Sequence, residues 1–155
     1  MRAAAGLAIL LLFAHASSFA QALEPSISDA DFAEIRAVIN RQIDALKRDD
    51  ARGAFALMSP GEQRAFGSPE RFLRVVRMAY RAVYRPAAVA FRQPTVLSGE
   101  VVQQVEITDR GGGVWVAYYA MERQPDGSWR TNGCHLVQPG RIISAGLVSI
   151  AFRPQ

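Results

Sequence analysis

Cysteine, histidine and lysine are nearly absent from this chain of 155 residues. Cys134 is the only cysteine, so no intramolecular disulfide can form and the fold must depend on its apolar core. His135 is the only histidine beyond the N-terminal segment, which leaves too few ligands for an ordinary zinc site. The glycine run at 111–113 lies between expected strands and does not open a helix, unlike a phosphate-binding loop. The sequence therefore predicts no metal and no cofactor.

A strong excess of either charge is absent as well. Lysine and arginine together number 18 and the acids 14, which gives a formal net charge of +4. Lys47 is the only lysine, so nearly every cation is an arginine. This mild excess does not require a nucleic-acid partner, and we predict none.

A long apolar run occurs only at the N-terminus. Arg2 supplies a positive start, residues 7–14 form the densest apolar stretch, and Ala20-Gln21-Ala22 has the small-x-small form that a signal peptidase reads. We predict a secretory signal peptide over residues 1–22, cleaved between Ala22 and Leu23. An uncleaved anchor, the alternative membrane contact, needs roughly 20 predominantly apolar residues, which this segment only approaches. The predicted location is the periplasm or the medium.

Helical periodicity fills the first half of the remaining chain and strand alternation the second, with the change near Pro86. That order predicts an α+β fold. We expect a linker and helix start at 23–31, the α+β domain at 32–137 and a C-terminal strand or docked tail at 138–155. Ser28 is the expected N-cap of a helix that ends near Arg48, and Asp49 and Asp50 together suit the start of a second one.

A later helix, expected from Ser68 to about Tyr84, carries a stripe of arginines. At about 100° per residue its apolar side chains share one arc, and the arginines share the opposite side. The apolar set is Phe72, Val76, Ala79 and Val83; the arginines are Arg71, Arg74, Arg77, Arg81 and Arg85. The stripe is either an ordinary solvated face or a surface for an acidic partner or anionic membrane head groups.

Strand alternation begins after Pro86. Pro94 confines the first strand, expected within 89–97, to an edge or a bulge. The strand at 114–123 is apolar on both sides, so we expect it to be central and covered on both faces. A strand at 128–137 follows the turn around Gly127. Residues 141–152 are apolar enough for a further strand or a docked tail.

Several short stretches together suggest a family. They are residues 35–42, 49–55, Ser59-Pro60, 66–69, Phe72, Tyr80, 84–86 and 129–134. In these the chain resembles a bacterial family of exported domains of unknown function, and more broadly it is similar to the nuclear-transport-factor-2-like, or ketosteroid-isomerase-like, cystatin-like α+β superfamily. The resemblance spans Phe32 to Val137. It implies helices packed in the concave face of a curved antiparallel sheet, a cone-shaped α+β barrel whose open end can be a pocket, but it implies little about function.

Catalytic members of that superfamily place an ionisable base, commonly aspartate or histidine, on the pocket wall. His135 is the only residue here with suitable chemistry, so we assign no catalytic residue and keep His135 as a weak candidate. Cys134 cannot pair with it as a nucleophile, because consecutive strand residues point to opposite faces, and we interpret it as a small buried hydrophobe. The aromatic residues are core residues first, but they also suit a mainly apolar pocket: Tyr80, Tyr84, Trp115, Tyr118, Tyr119 and Trp129.

Three functions remain open. The favoured one is an exported, non-catalytic domain that binds a small apolar ligand or an envelope protein. The second is an isomerase- or hydrolase-like enzyme that uses His135 with a tyrosine hydroxyl. The third is a structural module that forms a homodimer through the outer face of its sheet. An enclosed cavity with His135 on its wall favours the enzyme, a filled interior excludes it, and a flat apolar sheet face favours the dimer.

Overall fold

The computed structural model describes residues 27–139. The predicted signal peptide, its cleavage point between Ala22 and Leu23, and the segment 140–155 lie outside these residues. Within them, five helices precede a five-stranded antiparallel sheet, so the predicted α+β class is confirmed. The sheet does not close on itself, and the barrel is therefore open. None of the helices in this part of the chain is long and apolar enough to cross a membrane.

The helices begin where the sequence supplies caps. They are α1 (Asp29–Lys47), α2 (Ala51–Ala56), α3 (Pro60–Phe66), α4 (Pro69–Ala79) and α5 (Arg81–Tyr84). The Ser28 hydroxyl accepts a hydrogen bond from the Asp31 backbone at 3.1 Å, and the Asp31 carboxylate accepts one from the Ser28 backbone, which completes a capping box at α1. Ser59 and Ser68 cap α3 and α4, each followed by a proline at the first helical position.

The predicted helix from Ser68 to Tyr84 is interrupted, so its expected end is wrong. Tyr80 leaves the helical conformation with φ −121° and ψ 44°, which divides the segment into α4 and α5. Its hydroxyl donates to the carbonyl of Cys134 in the sheet at 3.1 Å, a tertiary contact that accompanies the break. Ala79, expected on the apolar side, is exposed at this point, and Leu73 is buried instead.

The strands are β1 (Ala88–Phe91), β2 (Thr95–Leu97), β3 (Glu100–Thr108), β4 (Val114–Arg123) and β5 (Trp129–Val137). Their order is β1-β3-β4-β5, and β2 pairs with β3 beyond the end of β1. Pro94 separates β1 from β2 on the edge of the sheet, as its missing amide requires. β4 is central, as predicted.

The core lies between the helices and the inner face of the sheet. Alternate residues of β3 and β4 are fully or almost fully buried there against one side of α1. Gln42 is the polar member of that side; its amide donates to the Ala54 carbonyl at 3.2 Å and to the Thr131 hydroxyl at 3.0 Å. This side chain therefore ties α1 to both α2 and β5. The main apolar contributors are Ile35, Ile39, Ile43, Leu46, Val105, Ile107, Ala117, Tyr119 and Met121.

A β-bulge interrupts the pairing of β4 with β5. Ala120 of β4 stands opposite two residues of β5, Asn132 and Gly133, where the register shifts. Gly133 has a φ of 123°, a conformation that side-chain-bearing residues rarely adopt. Glycine is therefore the residue best suited to this position of the bulge.

The bulge decides which residues of β5 face the core. Before it, Trp129 and Thr131 point inward and are buried. After it, Cys134 and Leu136 pack against the core, and His135 is exposed on the outer face. Strict alternation from Trp129 would instead have placed His135 inside, since odd-numbered residues would share one face.

The outer face of β4 is not covered by any element within residues 27–139. Val114 is 45% exposed and Tyr118 37% exposed, and Val116 and Ala120 are partly exposed. The expectation that both faces of this strand would be covered is therefore wrong for the described part of the chain. The five helices pack against the opposite face.

Candidate functional site

His135 lies outside the core, on the outer face of β5, beside its register partner Tyr118. The structure therefore contradicts its candidacy as a base inside a pocket, and the bulge at Gly133 is the physical reason. The neighbouring Cys134 points the other way, and its thiol is buried beside the Tyr119 hydroxyl. Burial raises the pKa of the Cys134 thiol to about 12, and it also raises the pKa of Tyr119 well above its ordinary value. Both groups remain protonated at neutral pH.

The six aromatic pocket candidates do not come together around one cavity. Tyr119 and Trp129 are buried in the core, whereas Tyr118 is on the outer face. Tyr80 and Trp115 are partly buried and hold local structure: the Tyr80 hydroxyl binds the sheet edge, and the Trp115 indole donates to Asp109 at 2.8 Å. Tyr84 belongs to a surface cluster described below.

The surface of the described part of the chain carries open concavities. The two best-formed ones within residues 27–139 are grooves of about 480 Å³ and about 370 Å³. The larger lies between the start of α1 and the end of β4, and the smaller between α3 and the turn that joins β4 to β5. Trp129 lines the larger groove, but His135 lines neither. Apolar side chains of the helices and sheet fill the interior where the resemblance implied a pocket.

Exposed arginines surround a methionine at the end of α4. Met78 is 78% exposed, more than any other large apolar side chain in the described chain. Arg71 and Arg74 lie on its side of α4, and Arg81 begins α5 just beyond it. All three arginines are exposed, and none forms an ion pair within residues 27–139. We call Arg71, Arg74, Met78 and Arg81 the arginine surface.

The other two arginines of the stripe are held by Asp49. Arg77 Nη2 lies 2.7 Å from Asp49 Oδ1, and Arg85 Nη2 lies 2.7 Å from Asp49 Oδ2. The Tyr84 hydroxyl donates to the same carboxylate, and both guanidinium groups stack on the Tyr84 ring at 5.5 and 4.8 Å from its centroid. The predicted stripe therefore divides into three arginines without an ion pair in the described chain and two that share one carboxylate.

Asp49 does not cap α2, so half of the prediction for the aspartate pair is wrong. Asp50 alone is the cap, and its carboxylate accepts from the Gly53 amide at 2.8 Å. Asp49 has a φ of 61°, in the left-handed region that aspartate tolerates better than most residues. Hydrogen bonds from Arg77 and Tyr84 lower the pKa of its carboxyl group. No local pattern in the sequence marks this role, because the partners lie far along the chain.

Residues 28–142 match the family described as Domain of unknown function (DUF4864). The chain belongs to this family. No curated protein matches the DUF4864 chain. Two solved structures are similar to it: one from Catenulispora acidiphila, with a TM-score of 0.44 and 17% identity over 70% of this chain and 91% of that one, and Aln2 from a Streptomyces species, with a TM-score of 0.46 and 19% identity over 72% and 92%.

The DUF4864 domain offers chemistry for binding through its arginine surface. Guanidinium groups form two parallel hydrogen bonds with a carboxylate or phosphate, and a flexible methionine adapts to the shape of a partner. In residues 27–139, no group of three or more histidine, cysteine or acidic side chains is arranged to hold a metal ion.

Proposed function

We propose that this DUF4864 domain is a non-catalytic binding domain of the nuclear-transport-factor-2-like type that works outside the cytoplasm. Its arginine surface docks on an acidic protein of the cell envelope. The observation that carries the proposal is Met78, 78% exposed and flanked by three exposed arginines that form no ion pair within the described chain. The proposed location follows from the predicted signal peptide at residues 1–22.

The charge arrangement supports a specific surface over a merely solvated one. Asp49 pairs with both Arg77 and Arg85 and offsets one of their two charges, whereas Arg71, Arg74 and Arg81 form no ion pair within the described chain. Arginine and methionine are both enriched at protein interfaces, where an apolar side chain enters a pocket and charges fix its orientation. A carboxylate-rich partner with a small apolar pocket is complementary to this surface.

A protein partner fits better than a lipid bilayer. A helix that lies in a membrane interface buries a broad apolar face with several large side chains. The arginine surface presents one such side chain, Met78, because Phe72, Leu73 and Val76 of the same helix are buried in the core. One methionine can fill a pocket but cannot anchor a helix in lipid.

Binding is also better supported than catalysis. A general base must lie within hydrogen-bond reach of a bound substrate, usually in a concave site. His135 projects from the outer face of the sheet and lines neither of the two open grooves. Apolar side chains fill the space between the helices and the sheet. This also argues against a small apolar ligand bound there.

Site-specific photo-crosslinking in cells tests the proposal. A photoreactive phenylalanine analogue at position 78 should crosslink to one envelope protein, while the same analogue at exposed Arg110 in the hairpin loop should not. The double variant Arg74→Glu/Arg81→Glu should abolish the crosslink, because like charges then face each other across the contact.

The matched control makes the same charge change elsewhere. Arg41→Glu/Arg110→Glu alters two exposed arginines on α1 and the hairpin loop, and should leave the crosslink at position 78 intact. Absence of a crosslink, or one that survives Arg74→Glu/Arg81→Glu, counts against the proposal. Co-sedimentation of the mature protein with phosphatidylglycerol vesicles, but not with phosphatidylcholine vesicles, would show that the partner is an anionic lipid surface and not a protein.

A further inference from the structure

The outer face of the sheet carries an apolar band along β4 and the end of β5. It consists of Val114, Val116, Tyr118, Ala120 and Val137, which share this face; Val116 and Val137 are register partners. Val114 and Tyr118 expose 45% and 37% of their surface, although each belongs to the centre of the sheet and not to a terminus of the chain. We call these five residues the apolar band.

The outer face is polar beside much of the band. On the neighbouring strand β3, the outward residues opposite Tyr118, Val116 and Val114 are polar: Gln104, Glu106 and Thr108. The Glu106 carboxylate is engaged by Arg92 at 3.0 Å, as expected for a solvated surface. Opposite Ala120, the outward residue of β3 is the apolar Val102, so the polar stretch borders the band only from Val114 to Tyr118. Val137 is the last residue of β5.

An apolar segment of the same chain follows directly. Residues 142–152 contain no charged residue and include six large apolar ones: Ile142, Ile143, Leu147, Val148, Ile150 and Phe152. Leaving such a segment in water is unfavourable, since each large apolar side chain gains free energy on burial. Both the segment and the apolar band would therefore gain free energy if their apolar side chains were buried against each other.

We propose that residues 141–152 cover the apolar band of the same chain. The segment begins four residues after Val137, the last residue of β5, so it starts close to the end of the band. Twelve extended residues reach about 40 Å, whereas the band from Val114 to Ala120 measures roughly 20 Å along its strand. One contact then accounts for two sequence patterns: a central strand that is apolar on both sides and an uncharged apolar segment after β5.

Thiol labelling of the mature full-length chain tests this cover. Tyr118→Cys places a thiol in the band, and Ala90→Cys places one at another exposed position of the same face, in β1 opposite Glu106. If the segment covers the band, a maleimide should label position 118 at least tenfold more slowly than position 90. Cys134 serves as the internal control, because its buried thiol stays unlabelled while the core is folded.

Charges in the segment should remove the protection. Adding Leu147→Glu/Val148→Glu to Tyr118→Cys should raise its labelling rate to that of Ala90→Cys. The control Gln138→Glu/Gln155→Glu adds the same charge on either side of the segment and should leave position 118 protected.

The remaining outcomes overturn the proposal. Equal rates at positions 118 and 90 show an uncovered band, and protection that survives Leu147→Glu/Val148→Glu shows another cover. If position 118 stays protected in that variant and the protection increases with protein concentration, the cover is a second copy of the chain.

Unfolding of the charged variant would be revealed by exposure of Cys134. In that case, oxidation of the double variant Tyr118→Cys/Val148→Cys decides: an intramolecular disulfide supports the proposal, and a purely intermolecular one overturns it.

Discussion

Asp31 and Asp49 stand near opposite ends of α1, and each binds side chains that lie far along the sequence. Asp31 completes the capping box with Ser28 and accepts a hydrogen bond from the Trp129 indole at 3.0 Å. Asp49 gathers two arginines and a tyrosine from α4, α5 and the residue that follows. The sequence predicted the first role in part, because Ser28 and Asp31 have the spacing of a cap. It could not predict the indole bond or the Asp49 cluster, which depend on tertiary contacts.

We expect the contribution of Asp31 to stability to disappear in acid. Hydrogen bonds from Ser28 and Trp129 lower the pKa of its carboxyl below the ordinary value of 3.8. A carboxyl whose pKa is lower in the folded state stabilises the fold above its unfolded pKa and loses that contribution as pH falls through its folded pKa. Asp31→Asn should therefore lower the free energy of unfolding by on the order of 1 kcal/mol at pH 6, and this gap should close below about pH 4.

Urea denaturation across pH 2.5 to 7 measures the effect. Asp29→Asn makes the same charge change in the same first turn, where Asp29 is exposed and does not take part in the capping box. Its difference from the wild type should be smaller at pH 6. An Asp31→Asn gap that stays constant across the whole range would show that the ionised form has no special role.

Among the secondary-structure elements, β5 departs most from simple alternation. The order of helices before strands, the caps of α1 and α4, and the central place of β4 could all be predicted from local patterns. The bulge at Asn132–Gly133 and the break at Tyr80 could not, because each satisfies contacts between distant parts of the chain. Thr131 forms backbone hydrogen bonds with Leu57 and Ser59, which fixes β5 just before the bulge.

Gly133→Ala should destabilise the fold through its backbone. The φ of 123° is strained for any residue with a Cβ, although the space around that atom is open. We expect a loss of about 1–3 kcal/mol in the free energy of unfolding. Gly61→Ala is the matched control: it lies in α3 with only ordinary contacts for a new Cβ, and should be neutral or slightly stabilising. Equal effects of the two substitutions would contradict the role assigned to the bulge.

At the scale of the whole molecule, one core joins both halves of the described chain. α1 packs on β5 as well as on α2, and the buried Gln42 amide links all three. The composition predicted that the fold depends on its apolar core, since a single cysteine cannot form an intramolecular disulfide. It could not predict how completely apolar side chains fill the space between the helices and the sheet, because that depends on how closely α1 packs against the sheet.

Export is the expectation that concerns the molecule as a whole. Protein recovered from the periplasm or medium of the producing cells should begin at Leu23, because the predicted peptidase site follows Ala22. Intact-mass measurement checks this directly. A species that still carries Met1 would show a retained leader, and Ala20→Leu together with Ala22→Leu should slow processing by removing both small residues of the site.

The bulge at Gly133 also bears on how this scaffold can change over generations. Deleting one of the two bulge residues would restore regular pairing and leave Cys134 and Leu136 on the core side, because a single residue would then separate Thr131 from Cys134. The bulge therefore marks a position at which β5 can lose a residue and keep the same side chains in the core. Relatives that lack this residue would pair β4 and β5 without interruption while keeping the same helices and strands.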